Sequence, residues 1–282
     1  MRKICLLLTT IITAFCLLGT SCKPVPAPHI ENLNAYLPPS FEGYYPPENL
    51  DTTLEVEGEF WDVSDVALNT INPSKKLIAF TFDDAPSKEL ENLCAVFAHF
   101  NEENPDCMGS ATFFCNGNRL DESAYSALFT AHALGMEMGN HTHTHPDLTK
   151  LTAEEIFLEI EKTDALLSRV DKKRKHLFRA PYGKINDTVK EQVRVPIIDW
   201  TIDTLDWTGI DENEIYNRVW ESRFSGAIVL MHDGYANTVS ALKRLLPDLK
   251  ADGYQVVNVS ALAKAHNCTL KNGGVYIRAR RR

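Results

Sequence analysis

The sequence has no surplus of basic side chains and no Cys-X-X-Cys motif. Its 29 lysines and arginines stand against 38 aspartates and glutamates, which gives a formal net charge of -9 at pH 7. Because such a chain has no overall positive field to attract a polyanion, we expect no nucleic-acid partner. Without Cys-X-X-Cys, nothing indicates a zinc ribbon. The composition, 44% hydrophobic and 24% charged, is that of a globular protein and excludes disorder or collagen-like repetition.

The N-terminal apolar run, from Ile4 to Leu18, falls short of the roughly 20 residues that a membrane-spanning helix needs. Two basic residues precede this run, small residues follow it, and no acidic residue occurs before Cys22. This arrangement is typical of a signal peptide, and we predict that residues 1–21 direct export of the chain.

The end of this segment, Leu17-Leu18-Gly19-Thr20-Ser21-Cys22, resembles the lipobox of bacterial lipoproteins. That resemblance implies lipidation of Cys22 and a protein anchored to the membrane of the cell envelope. Gly19 and Ser21 depart from the usual lipobox, which has Leu three residues before the Cys and Gly or Ala just before it. Ordinary secretion therefore remains the alternative, and membrane contact is expected only through the lipid.

Residues 22–73 are predicted to be a proline-rich tether and lead-in segment. Seven of the fourteen prolines occur between residues 23 and 50, which favours a stiff, extended chain. At the other end, residues 266–282 are predicted to be a basic, solvated tail. Four cysteines lie between the tether and the C-terminus, and an oxidising compartment would permit disulfides in any of three pairings: Cys94, Cys107, Cys115 and Cys268.

From about residue 75, short apolar runs alternate with longer amphipathic stretches, without an internal repeat. We predict strands at 77–82, 111–115, 137–140, 176–179, 196–201, 227–231 and 255–259. We predict helices at 87–101, 122–134, 152–170, 211–223 and 238–251, and Thr152 with Glu155 forms a capping box. This alternation indicates an α/β fold with a mostly parallel sheet, either a barrel or an open sheet.

Polar side chains follow five of these apolar runs. Because the carboxyl ends of parallel strands share one face, these residues are expected to converge on one site. The five segments contain Asp83-Asp84, His141 with His145, Arg179, Asp203 to Trp207, and His232.

The order and spacing of these segments resemble the polysaccharide deacetylases of the NodB-homology family, carbohydrate esterase family 4, over residues 74–265. The motifs are Thr81-Phe82-Asp83-Asp84, His141-Thr142-His143-Thr144-His145, Arg179-Ala180-Pro181-Tyr182-Gly183, Asp203-Thr204-Leu205-Asp206-Trp207 and Leu230-Met231-His232. The resemblance implies a distorted, incomplete (β/α) barrel. Ala85 stands where the family commonly has Gly, and Cys115 where it usually has an aliphatic residue.

Asp84, His141 and His145 are candidate metal ligands, and the resemblance names the same three. One carboxylate and two imidazoles suit Zn²⁺, with Co²⁺, Ni²⁺ or another divalent ion also compatible. The four-residue spacing predicts both histidine rings on one side of a helical turn. The same donor set also occurs in iron oxygenases, so the ligands alone do not name the metal.

The resemblance also implies the remaining catalytic roles. Asp83 would be the general base, held by Arg179, and a base beside a guanidinium stays deprotonated. His232 would be the general acid that protonates the leaving amine, oriented by Asp206.

Three further residues are expected to contact the substrate. The resemblance assigns the backbone N–H of Tyr182 to the oxyanion, and Trp207 and Leu230 would line the sugar groove. For Trp207 and Leu230, packing in the core is an equally good interpretation.

The function implied is metal-dependent removal of N-acetyl groups from N-acetylglucosamine residues of peptidoglycan or a chitin-like polysaccharide. O-deacetylation of xylan by the same family is the runner-up. A non-catalytic carbohydrate-binding lipoprotein and an iron oxygenase are alternatives from other classes, but both would leave Asp83 and His232 without a role. The oligomeric state is left open.

Overall fold

The computed structural model describes residues 59–279. The predicted signal peptide, Cys22 and most of the tether lie outside these residues. Within them, the strands are β1 (Lys76–Ala85), β2 (Thr112–Cys115), β3 (Glu137–Asn140), β4 (Ile197–Ile198), β5 (Ile202–Asp203), β6 (Ile228–His232), β7 (Tyr254–Val257) and β8 (Val275–Tyr276). The helices are α1 (Leu90–Glu103), α2 (Glu122–Ala133), α3 (Ala153–Asp171), α4 (Asp187–Gln192), α5 (Glu212–Ser222), α6 (Ala236–Ala251) and α7 (Val259–Ala265).

Strand β1 is the centre of the sheet. Its residues from Leu77 to Asp83 are buried without alternation, as expected for a parallel strand covered on both faces. It pairs in parallel with β2, β6 and β7. The predicted α/β fold with a parallel sheet is therefore confirmed.

The main sheet has the order β3-β2-β1-β6-β5, with β7 added on β1. Parallel bridges join Asn140 to Phe178 and Phe178 to Ile197, and so continue the pairing from β3 towards β4. The strand predicted at 176–179 is reduced to this one bridging residue. Because the pairings from β3 through β1 to β5 are all parallel, the ends of β1, β3 and β6 lie on one face.

Local signals account for several element boundaries. The predicted capping box is present, because Glu155 N donates to Thr152 Oγ1 at 3.3 Å and Thr152 N donates to Glu155 Oε2 at 2.8 Å. The strand predicted to run to Val259 ends at Val257. Asn258 instead caps α7, where its side chain accepts a hydrogen bond from Ala261 N.

Helix α1 begins at Leu90, three residues later than predicted. Ser87 is engaged elsewhere, since its backbone N–H and its hydroxyl both donate to the carboxylate of Asp233 at 2.7 Å. This contact joins the loop after β1 to the loop after β6, and a sequence pattern carries no sign of it.

Chain segments on both sides of residues 74–265 pack onto the sheet. Trp61 N donates to Leu270 O at 2.8 Å, and Gln255 Nε2 donates to Thr70 O at 2.6 Å. Beyond residue 265, Leu270 is buried and β8 pairs with β4. The packed unit thus extends at least from residue 59 to residue 279 and includes part of the segment that we expected to be a solvated tail.

Cys94, Cys107, Cys115 and Cys268 are free thiols in this structure, the first three of them buried. Burial raises the pKa of the Cys94 thiol to about 12 and also raises that of Cys115, so both are held in the unreactive protonated form. Within residues 59–279, no helix is both long and apolar enough to cross a membrane.

Candidate active site

The end of β1 presents two consecutive aspartates to different partners. Asp83 is only 4% exposed, and its carboxylate faces Arg179. Asp84 adopts a φ of 64°, in the left-handed region, and its carboxylate faces His145. A non-glycine residue in that region carries backbone strain, which is typical of functional sites. The turn separates the two carboxylates.

The three predicted metal ligands lie together. Ligand atoms of Asp84, His141 and His145 all fall within 4.8 Å of one another, and His145 Nε2 is 3.6 Å from Asp84 Oδ1. Asp84 Oδ1 is buried without a hydrogen-bond partner among the described residues. An unpaired buried carboxylate oxygen facing two imidazoles fits a divalent cation and is otherwise unfavourable.

The tautomer of His141 also suits metal binding. His141 Nδ1 lies 2.8 Å from the carbonyl oxygen of Arg179, which can only accept, so Nδ1 carries the proton. The lone pair is then on Nε2, which is 3.6 Å from Asp83 Oδ2. A backbone carbonyl that fixes a histidine tautomer in this way is a common feature of metal sites.

The helical turn predicted for His141 to His145 is wrong. These residues form an irregular loop in which Thr142 and His145 have φ values of 68° and 60°. The two imidazole centroids are nonetheless 4.9 Å apart. Left-handed backbone at these two positions, and not the i, i+4 spacing of a helix, brings the rings together.

The predicted base and its partner form a buried pair. Arg179 is 1% exposed, and its Nη1 donates to Asp83 Oδ1 at 2.7 Å and to Thr81 Oγ1 at 2.7 Å. Burial alone would raise the pKa of Asp83, but neighbouring positive charge, that of Arg179 above all, outweighs it, and the pKa is lowered. The carboxylate is therefore ionised, and Arg179 leaves its Oδ2 oxygen free to accept a proton.

The predicted acid is held by its predicted carboxylate. His232 Nδ1 is 2.8 Å from Asp206 Oδ1, and His232 N donates to Asp206 Oδ2 at 2.7 Å. Burial would lower the pKa of His232, but the hydrogen bond to Asp206 and the nearby aspartates outweigh it and raise the pKa. Asp83 and His232 are directly paired residues of β1 and β6, so the predicted base and the predicted acid are neighbours across the sheet.

Exposed aromatic side chains surround these groups. Tyr182 is 62% exposed with its ring centroid 4.7 Å from that of His145, and Trp207 is 53% exposed. The backbone N–H of Tyr182 donates no hydrogen bond to another group of residues 59–279, and its φ is 61°. Leu230 is only 4% exposed, so it offers a substrate little surface, and its predicted contact role stays a prediction.

Sequence reasoning missed several contributors. Thr238 Oγ1 donates to Asp206 Oδ2 at 2.7 Å from the first turn of α6, where nothing in the sequence distinguishes it. Tyr235 stands with its ring centroid 6.2 Å from that of His232. Thr81 was within a recognised motif, but its contact with Arg179 becomes evident only in three dimensions.

Comparison with known proteins shows the family of this chain. The sequence model of the polysaccharide deacetylase family matches residues 70–195. The chain is 33% identical over 200 residues to a peptidoglycan-N-acetylglucosamine deacetylase of Bacillus cereus, covering 68% of this chain and 90% of that protein. The chain therefore belongs to the polysaccharide deacetylases of carbohydrate esterase family 4.

Two comparisons with PdaC of Bacillus subtilis agree with this. The chain is 33% identical over 193 residues to that peptidoglycan-N-acetylmuramic acid deacetylase, covering 68% of this chain and 40% of PdaC, so less than half of that relative is matched. The solved structure of PdaC superimposes with a TM-score of 0.63 at 31% identity, over 70% of this chain and 94% of the PdaC chain in that structure.

Proposed function

We propose that this chain is a metal-dependent deacetylase that removes N-acetyl groups from N-acetylglucosamine residues of peptidoglycan or a chitin-like polysaccharide. The observation that carries the proposal is the pairing of Asp83 with His232 across β1 and β6, beside the ligands Asp84, His141 and His145. A base and an acid flanking one cation site are what amide hydrolysis requires.

Asp84, His141 and His145 would hold the ion, with Zn²⁺ favoured and Co²⁺ or Ni²⁺ compatible. When bound, such an ion polarises a carbonyl and lowers the pKa of water. Asp83 Oδ2 is the free oxygen of an ionised carboxylate and accepts the proton of the attacking water. Arg179 keeps that carboxylate in place through Oδ1.

His232 completes the reaction on the leaving group. Because Nδ1 carries the proton shared with Asp206, Nε2 is the atom that donates to the amine nitrogen as the C–N bond breaks. An amine leaves poorly unless it is protonated, so a histidine of raised pKa is well suited to this step. The free backbone N–H of Tyr182 would stabilise the oxyanion, and Trp207 would stack on a sugar ring.

We also propose the type of sheet, the extent of the folded unit and the location of the protein. We infer that the sheet is the incomplete (β/α) barrel of the family and that the packed unit spans at least residues 59–279. Export by residues 1–21, with Cys22 lipidated and residues 22–73 as a tether and lead-in segment, would place the site at the cell envelope. Relatives that act on peptidoglycan support this location.

The test is acetate release from three substrates: N-acetylglucosamine oligomers, peptidoglycan, and acetylated xylan. The enzyme is stripped with a chelator and reloaded with Zn²⁺ or Co²⁺. We expect release from the glucosamine substrates, loss after stripping and recovery on reloading. Xylan turnover alone would favour the runner-up.

The variant that tests the proposed base is Asp83→Asn, which keeps the shape of the side chain but cannot accept the proton. We expect turnover to fall by about 10²-fold or more while metal content and folding are retained. A Zn²⁺-loaded wild type that binds glycans but releases no acetate from any substrate would instead indicate a binding protein.

A further inference from the structure

A chain of buried polar contacts runs from helix α3 to the loop that carries the metal ligands. Asp164 Oδ1 accepts a hydrogen bond from Asn140 Nδ2 at 2.9 Å. Asn140 Oδ1 accepts from Thr142 N at 2.9 Å, and Thr142 Oγ1 accepts from His145 N at 3.0 Å. All three side chains are buried, with at most 1% of their surface exposed: Asp164, Asn140 and Thr142. This pathway ends on the backbone of a candidate ligand.

Asp164 and the carbonyl oxygen of Ile160 together set which way the Asn140 amide points. An ionised carboxylate only accepts, and Asn140 Nδ2 also donates to Ile160 O at 2.9 Å. The NH₂ group must therefore face α3, which leaves Oδ1 facing Thr142. Thr142 has a φ of 68°, so its loop conformation depends on such contacts to hold it.

The Asp164 side chain is in turn contacted by a buried histidine. His176 Nδ1 lies 2.9 Å from Asp164 Oδ1, and Nε2 lies 3.2 Å from Asp171 Oδ1. Burial would lower the pKa of His176, but these two carboxylates outweigh it and raise the pKa to about 9. His176 is thus a cation at neutral pH, and Lys175 Nζ stands 3.6 Å from the other oxygen of Asp164.

We propose that Asp164, paired with His176, is a positioning residue for the metal site, acting through Asn140 and Thr142 on His145. The proposal rests on the metal site of the proposed function. It adds that Asp164, on helix α3 outside that site, helps to set the geometry of the ligands. Outer partners of metal ligands commonly affect metal affinity by about 10–100-fold.

Asp164→Asn and Asp171→Asn form a matched pair for the test. Each removes one carboxylate charge from His176, but only Asp164 touches Asn140. The measurement is Zn²⁺ affinity of the stripped full-length protein by competition with a chromogenic chelator, together with the visible spectrum of the Co²⁺ form. Thermal unfolding of the stripped variants reports their stability.

We expect Asp164→Asn to weaken Zn²⁺ binding about 10-fold or more and to alter the Co²⁺ spectrum. Asp171→Asn should stay within about 3-fold of wild type even if its stability falls equally. Zn²⁺ affinity of Asp164→Asn equal to wild type, or an equal loss in both variants, overturns the proposal. A wild type that binds no Zn²⁺ contradicts the proposed function itself, so the two failures are distinguishable.

A second pair covers the case in which Asp164→Asn does not fold. Thr142→Val lacks the hydroxyl that accepts from His145 N, whereas Thr142→Ser keeps it. Zn²⁺ affinity should fall in the valine variant and be retained in the serine variant. Equal affinity in both would remove the last link of the pathway and with it the proposal.

Discussion

His232 and Asp206 are joined by two hydrogen bonds, one from the ring nitrogen Nδ1 and one from the backbone N–H, to the two oxygens of one carboxylate. This double contact fixes both the position and the tautomer of the imidazole. Together with the rise in the pKa of His232, it favours the protonated form of the ring.

Asp206→Asn should therefore move the basic limb of the pH–activity profile. The pKa of His232 is raised above its ordinary 6.5, so the donating form persists above that pH and is lost as pH rises through the raised value. Without the carboxylate the pKa falls, and the limb should shift to lower pH while kcat drops. The measurement is kcat and kcat/KM for acetate release between pH 5 and 10.

Thr238→Val is the control for that shift. It removes only the hydroxyl that donates to Asp206 Oδ2 and leaves the carboxylate charge beside His232. The basic limb should move less in Thr238→Val than in Asp206→Asn. Equal shifts would show that packing around Asp206, and not its charge, sets the pH of the basic limb.

Arg179→Met should destabilise the fold strongly. The substitution keeps a long apolar side chain but leaves the Asp83 carboxylate buried without its cation. Breaking a buried ion pair in this way costs about 3–5 kcal/mol of unfolding free energy. The pKa of Asp83 should also rise, because burial then acts with less opposition, and the acidic limb of activity should move to higher pH.

The double variant Asp83→Asn/Arg179→Met completes a double-mutant cycle, in which urea denaturation measures the free energy of unfolding of each variant. Removing the charge of Asp83 should recover part of the stability that Arg179→Met loses. A double variant that loses as much stability as the two single variants together, or more, would contradict the pairing of Asp83 with Arg179 as the source of the loss.

Asp84→Ala should behave as the loss of a ligand. Asp84 Oδ1 is buried without a partner, so its removal should leave the stripped protein as stable as wild type, or slightly more stable. At Zn²⁺ concentrations of about 100 times the dissociation constant, wild type should gain about 2.7 kcal/mol, and the variant much less. Thermal unfolding with and without Zn²⁺ measures the difference, and Asp83→Asn should keep the gain.

Gly226→Ala tests whether the C-terminal segment is part of the folded unit. A Cβ at Gly226 would lie 2.0 Å from the carbonyl oxygen of Ala279, and φ is +97°. Gly253 also has a positive φ, +84°, but a Cβ there meets nothing within 4 Å among the described residues. We expect Gly253→Ala to cost about 1 kcal/mol from backbone strain alone.

Gly226→Ala should lose at least about 2 kcal/mol more than this control, since the clash is with backbone that cannot swing away. Equal losses in chemical denaturation would mean that residues 266–279 do not pack against Gly226 in solution.

Local patterns predicted those features that depend on neighbours in the chain. The near-continuous apolar run of β1 and the capping box at Thr152 both follow from interactions within a few residues. The same patterns, with parallel topology, indicated that Asp83, Asp84, His141 and His145 would meet at strand ends. The roles assigned to them remain predictions, and Cys22 lies outside the described residues.

Contacts between distant residues were not predictable in the same way. The late start of α1 at Leu90 and the contact of Thr238 with Asp206 both depend on partners brought close by folding. No periodicity encodes these pairings, because the interacting groups are many residues apart along the chain.

The amino-acid sequence alone thus determined the parallel α/β plan and the set of chemical groups at its strand ends, since burial periodicity and residue type are local properties. Only the tertiary structure decided how those groups are held. The Asp164 carboxylate reaches Thr142 through Asn140 because helix α3 packs beside β3, and hydrogen-bond direction in a buried site is settled by whichever acceptor lies within 3 Å.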